Sequence, residues 1–129
     1  MARILIVDDD PDMRTMLEGT LQNAGYEVVS APDGKEALKQ FRAQAADLVI
    51  TDLFMPNKDG FEMISELRKE FPKTSLIAMC GRPPAVQLLP LAQRLGAAEV
   101  LQKPFAADDL LKVVRRILEP APDPTKSVE

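Results

Sequence analysis

Four short stretches of this sequence carry side chains that could do chemistry together. The acidic run Asp8-Asp9-Asp10 follows the apolar Ile4-Leu5-Ile6-Val7, and a further acid, Asp52, follows Leu48-Val49-Ile50-Thr51. Later in the chain Cys80 closes Ser75-Leu76-Ile77-Ala78-Met79, and Lys103 comes just after Glu99-Val100-Leu101. Carboxylates brought within a few ångströms of one another repel, and a hard divalent cation relieves that conflict. Mg²⁺ suits such a place, because it binds through one or two carboxylates and fills its shell with waters or phosphate oxygens. One ammonium beside acids and metal makes a pocket for phosphoryl transfer, where catalysis is mostly positioning and charge neutralisation. A carboxylate can itself be the nucleophile, giving an aspartyl-phosphate.

Taken singly, each piece has a plainer reading. Asp8-Asp9-Asp10 could be a turn and a helix cap, and Asp52 a structural acid at a strand end. Lys103 could be a solvated surface lysine and Cys80 a small buried hydrophobe. The signals arrive in order, however, each at the end of an apolar run, and together they argue for one site.

The elements that must position these residues follow from patterning. Ile4–Val7 is a continuous, mostly β-branched run of the kind that forms a strand buried on both faces. Pro11 to Asn23 reads as a helix capped by Asp10, with Met13, Met16, Leu17 and Leu21 spaced for one face, and Gly25 stops it. Glu27 to Ala31 reads as a second strand. Asp33 and Glu36 have capping-box spacing at the start of a helix whose inner face is Ala37, Leu38 and Phe41. Leu48–Thr51 is the third strand, Asp59-Gly60 to about Phe71 a helix ended by Pro72, and Ser75–Met79 the fourth strand. Pro83, Pro84 and Pro90 predict a short, late or kinked helix before Gly96. Glu99–Leu101 is a brief fifth strand, and Asp108 to Glu119 a final helix with Leu110, Leu111, Val114, Ile117 and Leu118 apolar. Strand–helix alternation of this kind implies an α/β fold, a doubly wound five-stranded parallel sheet with about five helices on both faces. In the flavodoxin-like order 2-1-3-4-5, Asp8 and Asp9 lie beside Asp52, at the carboxyl ends where such sheets bind ligands.

Composition narrows the function further. The chain has 129 residues, enough for one domain, residues 1–119, with Pro120, Pro122 and Pro124 in a flexible tail, residues 120–129. It contains no His, which excludes His-based zinc sites, Ser-His and Cys-His triads, and a phosphohistidine of its own. A net charge of −4 argues against general nucleic-acid binding. The single cysteine allows no intramolecular disulfide and fits a reducing cytoplasm. No apolar run approaches the ~20 residues of a membrane span, and no signal-peptide pattern is present.

Over residues 2 to 119 the chain resembles the receiver domain of two-component response regulators. The resemblance is carried by Ile4-Leu5-Ile6-Val7-Asp8-Asp9-Asp10-Pro11, the Asp33-Gly34 turn, Asp52-Leu53-Phe54-Met55-Pro56-Asn57-Lys58-Asp59-Gly60, and Lys103-Pro104-Phe105. It implies that Asp52 is the phosphoacceptor, with Mg²⁺ held by the Asp9 and Asp52 side chains and the Phe54 backbone carbonyl, and by Asp8 through water. It implies that Lys103 pairs with phosphoryl oxygens, that the Lys103-Pro104 bond is cis, and that Gly60 allows a tight turn behind the acceptor loop. The implied partners are a sensor histidine kinase or phosphotransfer protein and a downstream protein target, without direct nucleic-acid or membrane binding; weak dimerisation stays open. Such a module slowly hydrolyses its own aspartyl-phosphate and is no enzyme on a separate substrate. No output domain follows in this sequence, so a stand-alone receiver and a piece of a longer protein both stay open.

Two positions leave the family pattern. Cys80 stands where a Ser or Thr hydroxyl binds the phosphoryl group, and a thiol is a weaker donor. Val100 stands in place of an aromatic residue that swings between exposed and buried states. The alternative function is therefore a pseudo-receiver, a protein-interaction module that works without phosphorylation. A haloacid-dehalogenase-type phosphatase shares the strand-then-DxD opening at Val7-Asp8-Asp9-Asp10, but it needs a larger chain and a further acidic motif.

Overall fold

The computed structural model describes residues 1–53, 60–81, 90, 94 and 96–119. Strand β1 (Arg3–Val7) leads into α1 (Pro11–Asn23), β2 (Glu27–Ala31) and α2 (Gly34–Ala43). Then come β3 (Leu48–Asp52), α3 (Gly60–Glu70), β4 (Ser75–Cys80), β5 (Glu99–Gln102) and α4 (Ala107–Leu118). The strands form one sheet in the order β2-β1-β3-β4-β5, and every pairing is parallel. This is the flavodoxin-like arrangement expected from the alternation. Of the helix expected between Pro83 and Gly96 only Pro90 and Arg94 are described, both helical; the rest of it, the Asp59 start of α3 and the tail 120–129 lie outside the described residues.

Because parallel strands are covered on both sides, each contributes to two cores. Leu5, Val7, Val49, Leu76 and Ala78 point to the side covered by α2 and α3, where they meet Leu38, Phe41, Met63, Ile64 and Leu67. Ile4, Ile6, Ile50, Ile77 and Met79 point the other way, against Leu17 and Leu21 of α1 and Leu110 and Val114 of α4. The Phe41 and Phe71 rings pack at 4.6 Å between centroids, joining α2 to the end of α3.

Local signals set the helix ends. Asp10 accepts from the Asp12 N–H at the start of α1, and Asp33 accepts from the Glu36 N–H at the start of α2. Gly25, at φ +98°, takes the left-handed conformation that ends α1 with little steric cost. One expected core residue is displaced: Met16 is 41% exposed. On a 3.6-residue period it lies about 100° away from Leu17, so a face centred on Leu17 and Leu21 carries it toward solvent. Conversely, Val113 is buried in α4 beside Leu110 and Val114, while Leu111, Ile117 and Leu118 are only partly buried. At the far end of the molecule Arg68 donates to the carbonyls of Pro72, Thr74 and Gly96, pinning α3 to the chain entering β4 and β5.

Candidate functional site

Strands β1 and β3 are neighbours, and their register pairs Val7 with Thr51, so the next residues, Asp8 and Asp52, emerge side by side. With Asp9 they form a cluster whose carboxylate oxygens all lie within 4.8 Å of one another. The three acids differ in setting. Asp8 is fully buried, Asp52 nearly so, and Asp9 is exposed.

Asp8 is committed on both oxygens. Its Oδ1 accepts from the Asp10 N–H at 2.9 Å, and its Oδ2 accepts from Lys103 Nζ at 2.8 Å. The same ammonium donates to Asp52 Oδ2 at 2.9 Å. Lys103 reaches them from the end of β5, across the end of β4. Its own N–H donates to the Cys80 carbonyl, extending the β4–β5 ladder by one bond, and the Lys103-Pro104 peptide is cis as expected. Burial by itself lowers the Lys103 pKa, but its hydrogen bonds to Asp8 and Asp52 and their charges outweigh burial and raise it. The bridge therefore holds a charged ammonium.

The backbone around Asp52 is held closely. The Thr51 hydroxyl donates to the Asp52 carbonyl at 2.9 Å, and the Gly60 N–H donates to the Leu53 carbonyl at 3.2 Å. A Cβ at Gly60 would sit 2.3 Å from the Asp52 carbonyl oxygen and 2.7 Å from Leu53 Cα. Glycine is required there because two backbones approach; the tight turn expected behind the acceptor loop falls on residues 54–59, outside the described residues.

Formally, three carboxylates and one ammonium leave the pocket at −2. The donor set is hard oxygen, the Asp9 carboxylate has no hydrogen-bond or ion-pair partner among the described residues, and Asp8 is already engaged. A small divalent cation fits this pattern, held by Asp9 and Asp52 with waters completing the shell. The Phe54 carbonyl expected as a further ligand lies outside the described residues.

Asp8, Asp9, Asp52 and Lys103 are thus gathered as the sequence suggested. Cys80 ends β4 one residue beyond Met79, the register partner of Asp52. It is fully buried in the same apolar cluster as Leu53, Ala78 and Phe41, and Val100 packs against that cluster. Two contacts were not foreseen. Gly81 lies under the Lys103 stem, where a Cβ would be 3.2 Å from Lys103 Cβ. Arg14 Nη1 donates to the Asp8 backbone carbonyl at 2.7 Å. A glycine directly after β4 was a visible signal for the first; nothing in the spacing marks the second.

Comparison with known proteins agrees with this geometry. The family model for the response regulator receiver domain matches residues 4–115. A probable transcriptional regulator, ycf27, of Cyanophora paradoxa is 39% identical over 127 residues, covering 97% of this chain and 52% of that protein. The chain therefore spans about half the length of the curated relatives it matches. Among solved structures, chemotaxis protein CheY4 of Vibrio cholerae superposes with a TM-score of 0.82 at 37% identity, covering 92% of this chain and 99% of that one. The response regulator TrrA of Thermotoga maritima, solved in complex with Mg²⁺ and BeF, gives 0.82 at 37% identity, with 92% and 100% covered.

Proposed function

Because the chain belongs to the response regulator receiver family, we propose that Asp52 accepts a phosphoryl group from the phosphohistidine of a sensor histidine kinase or phosphotransfer protein. The observation that carries this reading is the single ammonium of Lys103 bridging Asp8 and Asp52 beside the open carboxylate of Asp9. An Asp52 carboxylate oxygen attacks phosphorus, the P–N bond breaks, and the imidazole leaves with the electron pair and is protonated. Mg²⁺, when bound by Asp9 and Asp52, supplies charge neutralisation to the transferring phosphoryl oxygens. Lys103 can move its hydrogen bond from an acid to a phosphoryl oxygen while remaining protonated. Asp8, whose oxygens already accept from the Asp10 N–H and from Lys103, would act on the cation through water rather than as a direct ligand.

The resulting acyl phosphate is hydrolysed slowly in place, so the chain acts as a switch and not as an enzyme on a separate substrate. Its output is to a downstream protein target and not by direct contact with nucleic acid. The single unpaired thiol of Cys80 fits a cytoplasmic setting, and no described helix is long and apolar enough to cross a membrane. A phosphorylation-independent interaction module remains the second reading, favoured by Cys80 and Val100, which lack the hydroxyl and the aromatic ring of the family switch.

The test is labelling with acetyl phosphate followed by mass spectrometry. Wild type should gain one phosphoryl group only with Mg²⁺ present, and Asp52→Asn should gain none. Equal labelling of Asp52→Asn, or failure of the wild type to take up beryllofluoride with Mg²⁺, would sink the phosphoacceptor reading and leave the interaction module.

A further inference from the structure

Asp9 is the one acid of the cluster whose side chain is held by no other described group. A ligand that is itself unrestrained can be placed only through its backbone. That backbone is the Asp8–Asp9–Asp10 turn, and five contacts grip it. The Asp8 N–H donates to the Ala31 carbonyl, the Asp10 N–H to Asp8 Oδ1, the Asp12 N–H to Asp10 Oδ1, the Arg14 N–H to the Asp10 carbonyl, and Arg14 Nη1 to the Asp8 carbonyl. The first four are made by the turn and the backbone of its adjoining strand and helix start. The bond from the Arg14 side chain, at 2.7 Å the shortest of them, comes from the fourth residue of α1.

The Asp8 carbonyl belongs to the peptide plane from which Asp9 hangs, so rotation of that plane moves the Asp9 carboxylate relative to Asp52. Left to water, the carbonyl would have no fixed partner. A planar guanidinium, with its donors in a rigid fork, holds the plane at one angle. We propose that Arg14 is a positioning residue for the metal site: it fixes the Asp8–Asp9 peptide so that Asp9 and Asp52 meet one divalent cation. This rests on the metal reading above and adds to it a residue outside the acidic motif. Its action runs against its charge, because a nearby guanidinium taken only as a cation disfavours a second cation.

Those two effects have opposite signs, which makes the test direct. Mg²⁺ is titrated calorimetrically into wild type, Arg14→Met and Asp52→Asn, all as the full chain, and each is melted in EDTA. Outer contacts that orient metal ligands typically contribute ~10–100-fold in affinity, so Arg14→Met should bind Mg²⁺ about tenfold more weakly. Its melting temperature in EDTA should stay within about 2 °C of wild type, since Met is a good helix former and Arg14 is only half-buried. The weakening should persist at about 0.5 M salt, where a pure charge effect is screened. Equal or tighter Mg²⁺ binding by Arg14→Met overturns the proposal. So does an EDTA melting temperature lowered by more than ~5 °C, which would make the contact a support of the fold rather than of the site. Backbone amide resonances give an independent check: without metal, those of Asp9 and Asp10 should move in Arg14→Met while that of Lys103 stays in place. Failure of the metal reading looks different, because wild type itself would then show no Mg²⁺ binding, or Asp52→Asn would bind as tightly as wild type; either result takes the Arg14 proposal with it.

Discussion

Where β1 and β3 end, charged and polar groups meet in a mesh of short bonds: Lys103 to Asp8 and Asp52, Asp10 N–H to Asp8, Arg14 to the Asp8 carbonyl, Thr51 to the Asp52 carbonyl. One strand over, where β4 ends, the corresponding side chain is a thiol, fully buried among Leu53, Ala78 and Phe41, with the aliphatic Val100 packed on the same cluster. The first region is preorganised for charge and the second is packed like ordinary core. On the reading proposed above, the first region accepts a phosphoryl group and the second reports it. The contrast teaches that two neighbouring strand ends of one sheet can be held by different forces. Hydrogen bonds and charge position the acids, and apolar burial positions Cys80.

The largest effect should come from stripping the acids of their cation. Lys103→Met leaves Asp8 and Asp52 buried without a counter-ion and should cost about 2–3 kcal/mol, toward the low side of the usual penalty because the site opens to solvent. In this chain that is a fall of about 10 °C in melting temperature, measured calorimetrically in EDTA. The pH dependence has a definite sign. The folded pKa of Lys103 is raised, so its contribution is complete below the ordinary lysine value of about 10.4 and is lost as pH rises through the higher folded value. The gap between wild type and Lys103→Met should therefore be constant through neutral pH and close in alkali. A gap that is already absent at pH 7 would show that the bridge contributes nothing to stability and that the two regions are not held by different forces.

Gly60→Ala sharpens the same side of the comparison. The new methyl group would overlap the Asp52 carbonyl, and backbone has to shift to admit it. The expected loss is roughly 1–3 kcal/mol, with slower labelling of Asp52 by acetyl phosphate as the site-specific readout. Wild-type stability and labelling in this variant would mean that the α3 start does not constrain the end of β3.

The smallest change in stability, and the most informative on the reporting side, is Cys80→Thr. Burying a hydroxyl in an apolar cluster costs on the order of 1 kcal/mol. Mg²⁺ affinity should stay nearly unchanged, since position 80 belongs to the packed region. The spectral change produced by beryllofluoride should grow, because a hydroxyl donates a stronger hydrogen bond than a thiol to a charged oxygen. An altered Mg²⁺ affinity would break the separation between the two regions, and an unchanged response would remove position 80 from the switch.

Much of this was legible from local pattern. The buried runs Ile4–Val7 and Leu48–Thr51 are strands, and the caps at Asp10 and Asp33 and the stop at Gly25 fall where residue type placed them. These features depend on interactions within a few residues, where spacing along the chain stands in for distance in space. Asp8, Asp9, Asp52 and Lys103 could be nominated for the same reason, each at the end of an apolar run. Their meeting in one pocket followed once the strand order was known.

Other features were decided only by packing in three dimensions. Sequence could not tell that Asp8 would be buried and Asp9 exposed, since adjacent residues leave the end of β1 on opposite sides and only the finished core says which side is wet. Nor could helical spacing alone exclude Met16 from the core, because the depth of contact between α1 and the sheet sets how wide a face is covered. The bond from Arg14 to the Asp8 carbonyl and the closeness of Gly60 to Asp52 depend on the angles at which α1 and α3 leave the sheet. The two hydrogen bonds of Lys103 Nζ join it to residues 95 and 51 positions away. Residue types and short-range order thus determined which groups were available here, while sheet order and helix packing decided how they face one another, because separation along the chain carries no direction in space.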